Sequence, residues 1–138
     1  MPRIRYVMEP PVLDGYRRLY ESTGWTYATP VTRDNLRAAL ANTWCWASAY
    51  IGDEFAGAGR LISDGVLYAF LCDLIVFPEH QNKGIGSTLL EMLTAESGKH
   101  NIKRLWLFAA TDKAPFYERF GFEVRSSRMP GMQLSDGC

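Results

Sequence analysis

Residues 66–90 read VLYAFLCDLIVFPEHQNKGIGSTLL, and this stretch decides the fold because a strand pattern passes through a glycine loop into a helix pattern. Its first half, 66–77, is apolar except for Asp73, which is typical of a strand covered on both faces. Pro78 cannot donate to a strand ladder and therefore ends the strand. Beyond the loop, apolar residues recur at helical spacing, which predicts a helix over 84–98.

The loop between strand and helix has the pattern QxxGxG, from Gln81 to Gly86. Gly84 and Gly86 carry no Cβ, so the backbone can turn sharply and bring several N–H groups towards one anion. The unpaired amides of the first helical turn and the helix dipole both favour negative charge there. The pattern matches neither GxxxxGK[ST] nor GxGxxG, which excludes a Walker phosphate loop and a dinucleotide loop. The alternative is a plain strand–helix turn that needs glycine.

A second motif lies downstream of the loop. A strand predicted over 102–110 is followed by a short break and then by FYERFGF at 116–122. The order of strand, QxxGxG, helix, strand and FYxxxGF resembles the GNAT family of acetyl-CoA-dependent N-acetyltransferases, in particular its small single-domain bacterial members. The resemblance covers 66–122 and includes LIVFP at 74–78.

The remaining patterns complete an α/β (α+β) fold. We predict strands over 4–8, 43–51 and 54–62 and helices over 10–21 and 32–42. The full order is β-α-α-β-β-β-α-β-α-β, which predicts a mixed sheet with antiparallel hairpins and one parallel crossover. The resemblance implies a mostly antiparallel central sheet with a splayed parallel pair, flanked by helices on both faces. At 138 residues, we expect a single N-acetyltransferase domain over 1–138.

Composition narrows the range of partners. Fifteen basic and fifteen acidic residues balance, and the sequence shows no basic run, so we expect no nucleic-acid partner. No apolar stretch has signal-peptide or membrane-spanning length, so we expect a cytoplasmic protein without a membrane partner. Three cysteines without a CxxC pair fit a reducing compartment. No spacing of His, Cys and Asp suggests a metal, and we expect His80 and His100 to be solvated.

The resemblance implies acetyl-CoA as co-substrate and assigns its contacts. The pyrophosphate would be held, mainly through backbone amides, by Gln81, Asn82, Lys83, Gly84, Ile85, Gly86 and Ser87. The pantetheine arm would lie as an added strand along the backbone of Leu74, Ile75 and Val76. Many relatives carry asparagine before the second motif where this chain has Thr111, so that coenzyme contact is either replaced by Thr111 or lost. Tyr117 would also border the coenzyme.

Catalysis requires a proton donor and a proton acceptor. A phenol with an ordinary pKa of about 10 is protonated at neutral pH and can protonate the departing thiolate. The resemblance assigns this role to Tyr117, and the alternative is a core aromatic residue in a short helix. Asp73 is the candidate general base because it is the single charge in the predicted core strand. The alternative is a structural ion pair with Arg60, and Glu54 and Glu79 are weaker candidates for the base.

The acceptor is expected to bind the N-terminal half, which shapes the acceptor pocket in the family. Four aromatic residues stand there: Trp25, Tyr27, Trp44 and Trp46. Trp44 and Trp46 alternate along one predicted strand and are expected to share a face. An aromatic cleft could hold a cationic amine by stacking or cation–π contact, or these rings could simply cover the sheet.

The expected activity is therefore transfer of acetyl directly to a primary amine of a small molecule. Acetylation of protein N-termini or lysines is the first alternative. A non-catalytic acyl-CoA-binding or sensing module is an alternative of another class. A covalent route through Cys45 or Cys72 is the second mechanism, and the resemblance leaves a homodimer open.

Overall fold

The computed structural model describes residues 2–25 and 29–135. Its elements, in chain order, are β1 (Ile4–Val7), α1 (Leu13–Glu21), α2 (Arg33–Ala41), β2 (Cys45–Ile51), β3 (Glu54–Ser63), β4 (Tyr68–Val76), a short 3-10 helix (Pro78–His80), α3 (Ile85–Lys99), β5 (Arg104–Leu107) and α4 (Ala114–Glu118). The predicted elements are thus present up to α4. Within the described residues, no helix is long and apolar enough to cross a membrane.

The strand predicted after α4 is wrong within the described range, because residues 119–135 contain no strand. The backbone there turns on itself instead. Arg125 Nε donates to the Met129 carbonyl at 2.7 Å, and the Met129 amide donates to the Ser126 carbonyl at 2.9 Å. Backbone groups satisfied within a turn have no need of a sheet partner.

The chain divides into two compact units. The larger unit spans 1–25 and 31–107 and contains the sheet with α1, α2 and α3, and the smaller unit spans 26–30 and 108–138 and contains α4. The single domain expected over 1–138 stays a prediction.

The larger unit is built on one five-stranded sheet of order β1-β2-β3-β4-β5. The first four strands pair antiparallel, and β4 pairs parallel with β5. This confirms the predicted mixed, mostly antiparallel α/β fold. Local residues explain where two elements begin and end. Gly52 forms the turn of the β2–β3 hairpin at φ +60°, and the Thr32 side chain caps α2 by accepting a hydrogen bond from the Asn35 amide at 3.1 Å.

Helices cover both faces of the sheet, as predicted. One core cluster joins α1 and α2 to the sheet and contains Tyr16, Leu19, Leu36, Trp46, Ala58, Ile75 and Phe77. On the opposite face, α3 buries Ile85, Leu89, Leu90 and Leu93. Successive residues of β3 face opposite layers of helices. Ala58 belongs to the first cluster, whereas Gly59 lies beside Leu93 of α3.

A bulge interrupts the pairing of β3 with β4. Asp73 and Leu74 of β4 together face the single Gly59 of β3, because the register shifts there. The bulge places Asp73 at φ +55°, a left-handed conformation that aspartate tolerates better than most residues. A bulge bends its strand and increases the local twist.

The parallel pairing of β4 with β5 ends shortly before this bulge. Pairing of β4 with β5 runs from Tyr68 opposite Arg104 to Leu71 opposite Leu107 and stops there. β5 is therefore shorter than the predicted strand over 102–110. From residue 72 to Val76, β4 pairs within the larger unit with β3 alone. Beyond Leu71, one edge of β4 is therefore open within the larger unit, and the predicted splay of the parallel pair stays a prediction.

Candidate functional site

The glycine loop presents uncapped helix amides. Asn82 and Gly84 both have left-handed backbones, at φ +64° and +80°. Gly84 is the N-cap of α3, and no described side chain caps this helix. The first helical hydrogen bond runs from the Thr88 amide to the Gly84 carbonyl at 3.1 Å. Among the described residues, the amides of Ile85, Gly86 and Ser87 have no hydrogen-bond partner, so they are available to an anion at the start of α3.

Gln81 ties the loop to the end of β4. Its Nε2 donates a hydrogen bond of 3.0 Å to the Val76 carbonyl oxygen. The Gln81 side chain is therefore engaged with the strand, while its neighbour Lys83 is exposed and carries the positive charge of the loop. Sequence reasoning assigned Gln81 to the loop but missed this contact, since its spacing from Val76 carries no recognised signal.

The end of β4 offers backbone groups on its open edge. The Phe77 amide bonds to the Ala56 carbonyl of β3 at 3.0 Å, so the backbone groups of the preceding residue, Val76, point away from β3. Gly57, opposite Val76, permits this close approach, because a Cβ there would lie 2.7 Å from the Ile75 carbonyl oxygen. Leu74, Ile75 and Val76 thus lead directly towards the glycine loop within the larger unit.

Asp73 is held in a mostly buried polar network. Arg60 Nε donates to Asp73 Oδ2 at 2.7 Å, and the Tyr16 hydroxyl donates to the same oxygen at 3.0 Å. Arg60 also bonds Thr43 Oγ1 at 2.9 Å. The Arg60 and Asp73 side chains are only 13% and 11% exposed. The ion pair offered as the alternative at Asp73 is present, and the role of general base stays a prediction.

The network also changes the pKa of its own tyrosine, Tyr16. Burial, and then the negative charge of Asp73, raise the pKa of Tyr16 well above its usual value. The Tyr16 proton therefore stays on the hydroxyl and keeps donating to Asp73. Its ring packs edge-on against Trp46, with centroids 5.1 Å apart.

Tyr117 lies in α4 of the smaller unit, within an aromatic cluster. Its ring centroid is 5.1 Å from Phe116 and 6.0 Å from Phe122, both edge-on. Burial raises the pKa of Tyr117, so the phenol is protonated at neutral pH, as a proton donor must be. The backbone at Gly121 of the same motif has φ +92°, which explains why glycine occupies this position. Thr111 is exposed in the turn before α4, and the roles predicted for it and for Tyr117 stay predictions.

The two described cysteines are poor nucleophiles. Burial raises the pKa of both the Cys45 and the Cys72 thiol to about 11. The thiolate is the reactive form of cysteine, and at neutral pH little of it exists at such a pKa. Burial of both thiols therefore disfavours a covalent acyl-cysteine route. Cys138 lies outside the described residues.

The predicted acceptor aromatics have different surroundings. Trp46 is 5% exposed and donates from Nε1 to the Leu40 carbonyl at 3.2 Å, so it covers the sheet. Trp44 precedes β2 and packs on His100, with ring centroids 5.0 Å apart. Trp44 lies outside β2 and contacts His100 just after α3, whereas Trp46 contacts Tyr16 of α1 and Leu40 of α2. Trp25 is 45% exposed, and Tyr27 lies outside the described residues.

A cavity of about 490 Å³ opens beside these indoles in the larger unit. Its lining includes Trp44, Cys45, Trp46, Glu96 and His100. Since Glu96 and His100 stand at the C-terminal end of α3, this cavity lies at the opposite end of the helix from the glycine loop. It is therefore separate from the surface predicted to hold the coenzyme.

The two histidines differ in exposure. His100 is exposed, as expected, and its Nε2 lies 3.2 Å from Glu96 Oε1. The expectation that His80 is solvated is wrong, because it is only 8% exposed. The 3-10 helix that follows β4 turns this side chain inwards, beside Glu54 at the start of β3. Chain spacing could not reveal this proximity, since it depends on strand pairing.

Comparisons with known proteins agree on one family. The model of the acetyltransferase (GNAT) family matches residues 12–122. A histone acetyltransferase, TAP1, from Glycine max is 30% identical over 125 residues, which cover 83% of this chain and 53% of that protein. Serotonin N-acetyltransferase 2, chloroplastic, from Oryza sativa subsp. japonica is 31% identical over 86 residues, covering 62% and 42%. The chain thus spans about half the length of these relatives, or less.

A solved structure matches over nearly the whole length. The GNAT family acetyltransferase SP0256 from Streptococcus pneumoniae TIGR4 has a TM-score of 0.80 and 30% sequence identity. The match covers 97% of both chains.

Proposed function

Because this chain belongs to the acetyltransferase (GNAT) family, as its motifs predicted, we propose that it moves an acetyl group from acetyl-CoA directly to a primary amine. The observation that carries the proposal is the continuity of the open β4 edge, through Gln81, with the uncapped start of α3. A strand edge suits an extended arm with amide groups, and uncapped helix amides suit a pyrophosphate. Acetyl-CoA contains both.

The donor would be held mainly by backbone. The pyrophosphate would lie on the amides of Ile85, Gly86 and Ser87, with Lys83 adding a point charge. The pantetheine arm would extend along residues 74–76. At Val76 it would meet the carbonyl that Gln81 now occupies, so we expect the Gln81 side chain to reorient or to share that oxygen when the coenzyme binds.

The reaction would proceed without an acyl-enzyme. The neutral amine attacks the thioester carbonyl, a C–N bond forms, and the C–S bond breaks as the tetrahedral intermediate collapses. Backbone N–H groups at the open edge would stabilise the oxyanion, a contribution of about 3 kcal/mol per donor. Tyr117 would protonate the departing thiolate, and Asp73 or water would take the proton from the amine.

The acceptor class is the finer part of the proposal. We favour a small-molecule amine, because exposed aromatic surface such as Trp25 suits a cationic or aralkyl amine. The two relatives are named for different acceptors, a histone and serotonin, so protein N-termini or lysines are the alternative. We also propose a cytoplasmic location, in keeping with cysteines that form no CxxC pair.

Coenzyme binding is tested by thermal unfolding with and without acetyl-CoA. We expect a rise in melting temperature that increases with ligand concentration. Gly84→Trp should abolish the rise by filling the loop. Gly98→Trp, at an exposed site in the same helix, should keep it. Absence of any rise in the unmodified protein would refute the family's use of acetyl-CoA here.

Turnover is tested by release of CoA with a panel of amines and lysine peptides. We expect a small amine to be the best acceptor and Tyr117→Phe to lower kcat about 100-fold or more. Equal turnover by Tyr117→Phe would exclude its role as proton donor. Turnover of peptides alone would indicate a protein acetyltransferase. Coenzyme binding without turnover across the panel would indicate a sensing module.

A further inference from the structure

His80 is a buried imidazole with unsatisfied nitrogens. The residue is 8% exposed, and neither Nδ1 nor Nε2 has a hydrogen-bond partner among the described residues. Buried polar atoms without partners cost free energy, so an orphaned imidazole calls for an explanation. In proteins, neutral imidazole nitrogen is also the commonest metal ligand.

Two carboxylates converge on this imidazole. Glu54 Oε1 lies 3.4 Å from His80 Nε2, without hydrogen-bond geometry, and Glu79 completes a group whose ligand atoms all lie within 4.8 Å of one another. Both carboxylates are exposed. Within the described residues, no lysine or arginine forms an ion pair with either of them. Two carboxylates thus lie close to one buried imidazole.

The distances suit a tetrahedral metal ion. Zinc binds imidazole nitrogen and carboxylate oxygen at about 2.0–2.2 Å, so two ligands of a tetrahedral site lie roughly 3.4 Å apart. The separation of His80 Nε2 from Glu54 Oε1 already has this value. Glu79 lies on the surface, where its side chain can rotate to close the remaining gap.

We propose that His80, Glu54 and Glu79 form a binding site for a divalent transition-metal ion, with Zn²⁺ as the expected occupant. One imidazole and two carboxylates give three protein ligands and leave a position for water. The ion would join the first residue of β3 to the 3-10 helix immediately before the glycine loop. This site is independent of the proposed transfer reaction. It departs from the expectation of no metal, which considered chain spacing alone, whereas β3 and β4 bring Glu54 to His80 through their pairing.

The test is a titration of this 138-residue chain with ZnCl₂, in which binding is measured by calorimetry and by NMR of the imidazole protons. The chain has only two histidines, so each gives its own signals. We expect one ion to bind with a dissociation constant below about 100 μM. This corresponds to a binding free energy well beyond that of a weak surface contact. The His80 signals should shift, while those of His100 should stay in place.

Variants separate this site from adventitious binding. Glu54→Gln with Glu79→Gln changes only exposed side chains and should weaken Zn²⁺ binding about 100-fold or more. Glu21→Gln with Glu91→Gln removes the same charge from exposed helix positions and should leave the affinity unchanged. His80→Gln should abolish the binding.

Three results would overturn the proposal. They are a dissociation constant above about 1 mM for the unmodified chain, equal affinity in the Glu54→Gln/Glu79→Gln variant, or a shift of the His100 signals in place of those of His80. The last result would assign the ion to the exposed Glu96–His100 pair. None of these readouts involves acetyl transfer, so failure here leaves the proposed function untouched.

Discussion

Arg60 Nε lies 2.7 Å from Asp73 Oδ2, and this ion pair joins β3 to β4 at the bulge that follows the last β4 residue paired with β5. The carboxylate proposed as general base is therefore also the counter-charge of a buried guanidinium. Removing it should lower the stability of the fold as well as affect the proposed chemistry, so stability must be measured beside activity.

Asp73→Asn should lower the free energy of unfolding by about 3 kcal/mol, because the buried Arg60 loses its counter-charge while the side chain keeps its shape. Asparagine tolerates the left-handed backbone at this position, so the substitution isolates the charge. Urea unfolding measures the effect. Asp73→Ala should cost more, since it adds backbone strain, and equal costs for the two variants would contradict the strain argument.

Tyr16→Phe should lower the free energy of unfolding by about 2 kcal/mol, because it removes a hydrogen bond to a carboxylate while the ring keeps its packing on Trp46. Tyr50→Phe serves as the control, as its ring also packs in the fold. In an Asp73→Asn background the cost should shrink. Additive costs would show that the two side chains are not coupled.

Stability should fall at alkaline pH. The folded-state pKa of the Cys45 and Cys72 thiols is raised to about 11 from 9.0, so their contribution is complete below pH 9.0 and is lost as the pH rises through about 11. Tyr16 adds to the same trend at higher pH. Melting temperatures measured under reducing conditions should decline over this range. Cys72→Ala should flatten the decline, and an unchanged slope would exclude burial of this thiol as a cause.

Gly84→Ala should destabilise the protein by about 1–2 kcal/mol, because φ +80° is costly for any residue with a Cβ. Gly98→Ala should instead stabilise it by about 0.5–1 kcal/mol, since alanine favours the helix and the site is open. Urea unfolding of the two variants distinguishes them. Destabilisation of similar size in both would mean that helix α3, rather than the loop backbone, determines the cost.

Gly57→Ala should cost about 1–3 kcal/mol, since its Cβ would lie 2.7 Å from the Ile75 carbonyl oxygen and 3.0 Å from the Val76 Cα. Gly59→Ala should cost less, because its closest contacts, at 2.9 Å, would be with the ends of the Leu74 and Leu93 side chains, which can move. Denaturant unfolding compares the two. The Gly57 variant should also weaken acetyl-CoA binding by displacing the open strand edge, and undiminished binding would argue against that edge as the coenzyme surface.

Much of the fold could be predicted from local patterns. Three local patterns each indicate the backbone that a short segment adopts: the apolar run over 66–77, the loop glycines and the helical repeat of α3. The strand predicted after α4 is wrong for residues 119–135, where the Arg125–Met129 contact closes a turn that apolar alternation does not reveal. The candidate loop and Tyr117 were found because their motifs are contiguous.

The sequence by itself determined the order of elements up to α4, the glycine loop and the family, since each depends on residues that are close along the chain. Only the tertiary structure decided that Asp73 binds Tyr16, 57 residues away, and that His80 is buried beside Glu54. Strand register decides such contacts, and a shift of one residue sends a side chain to the other face of the sheet. Register and burial arise from packing of the whole chain, which local patterns do not contain.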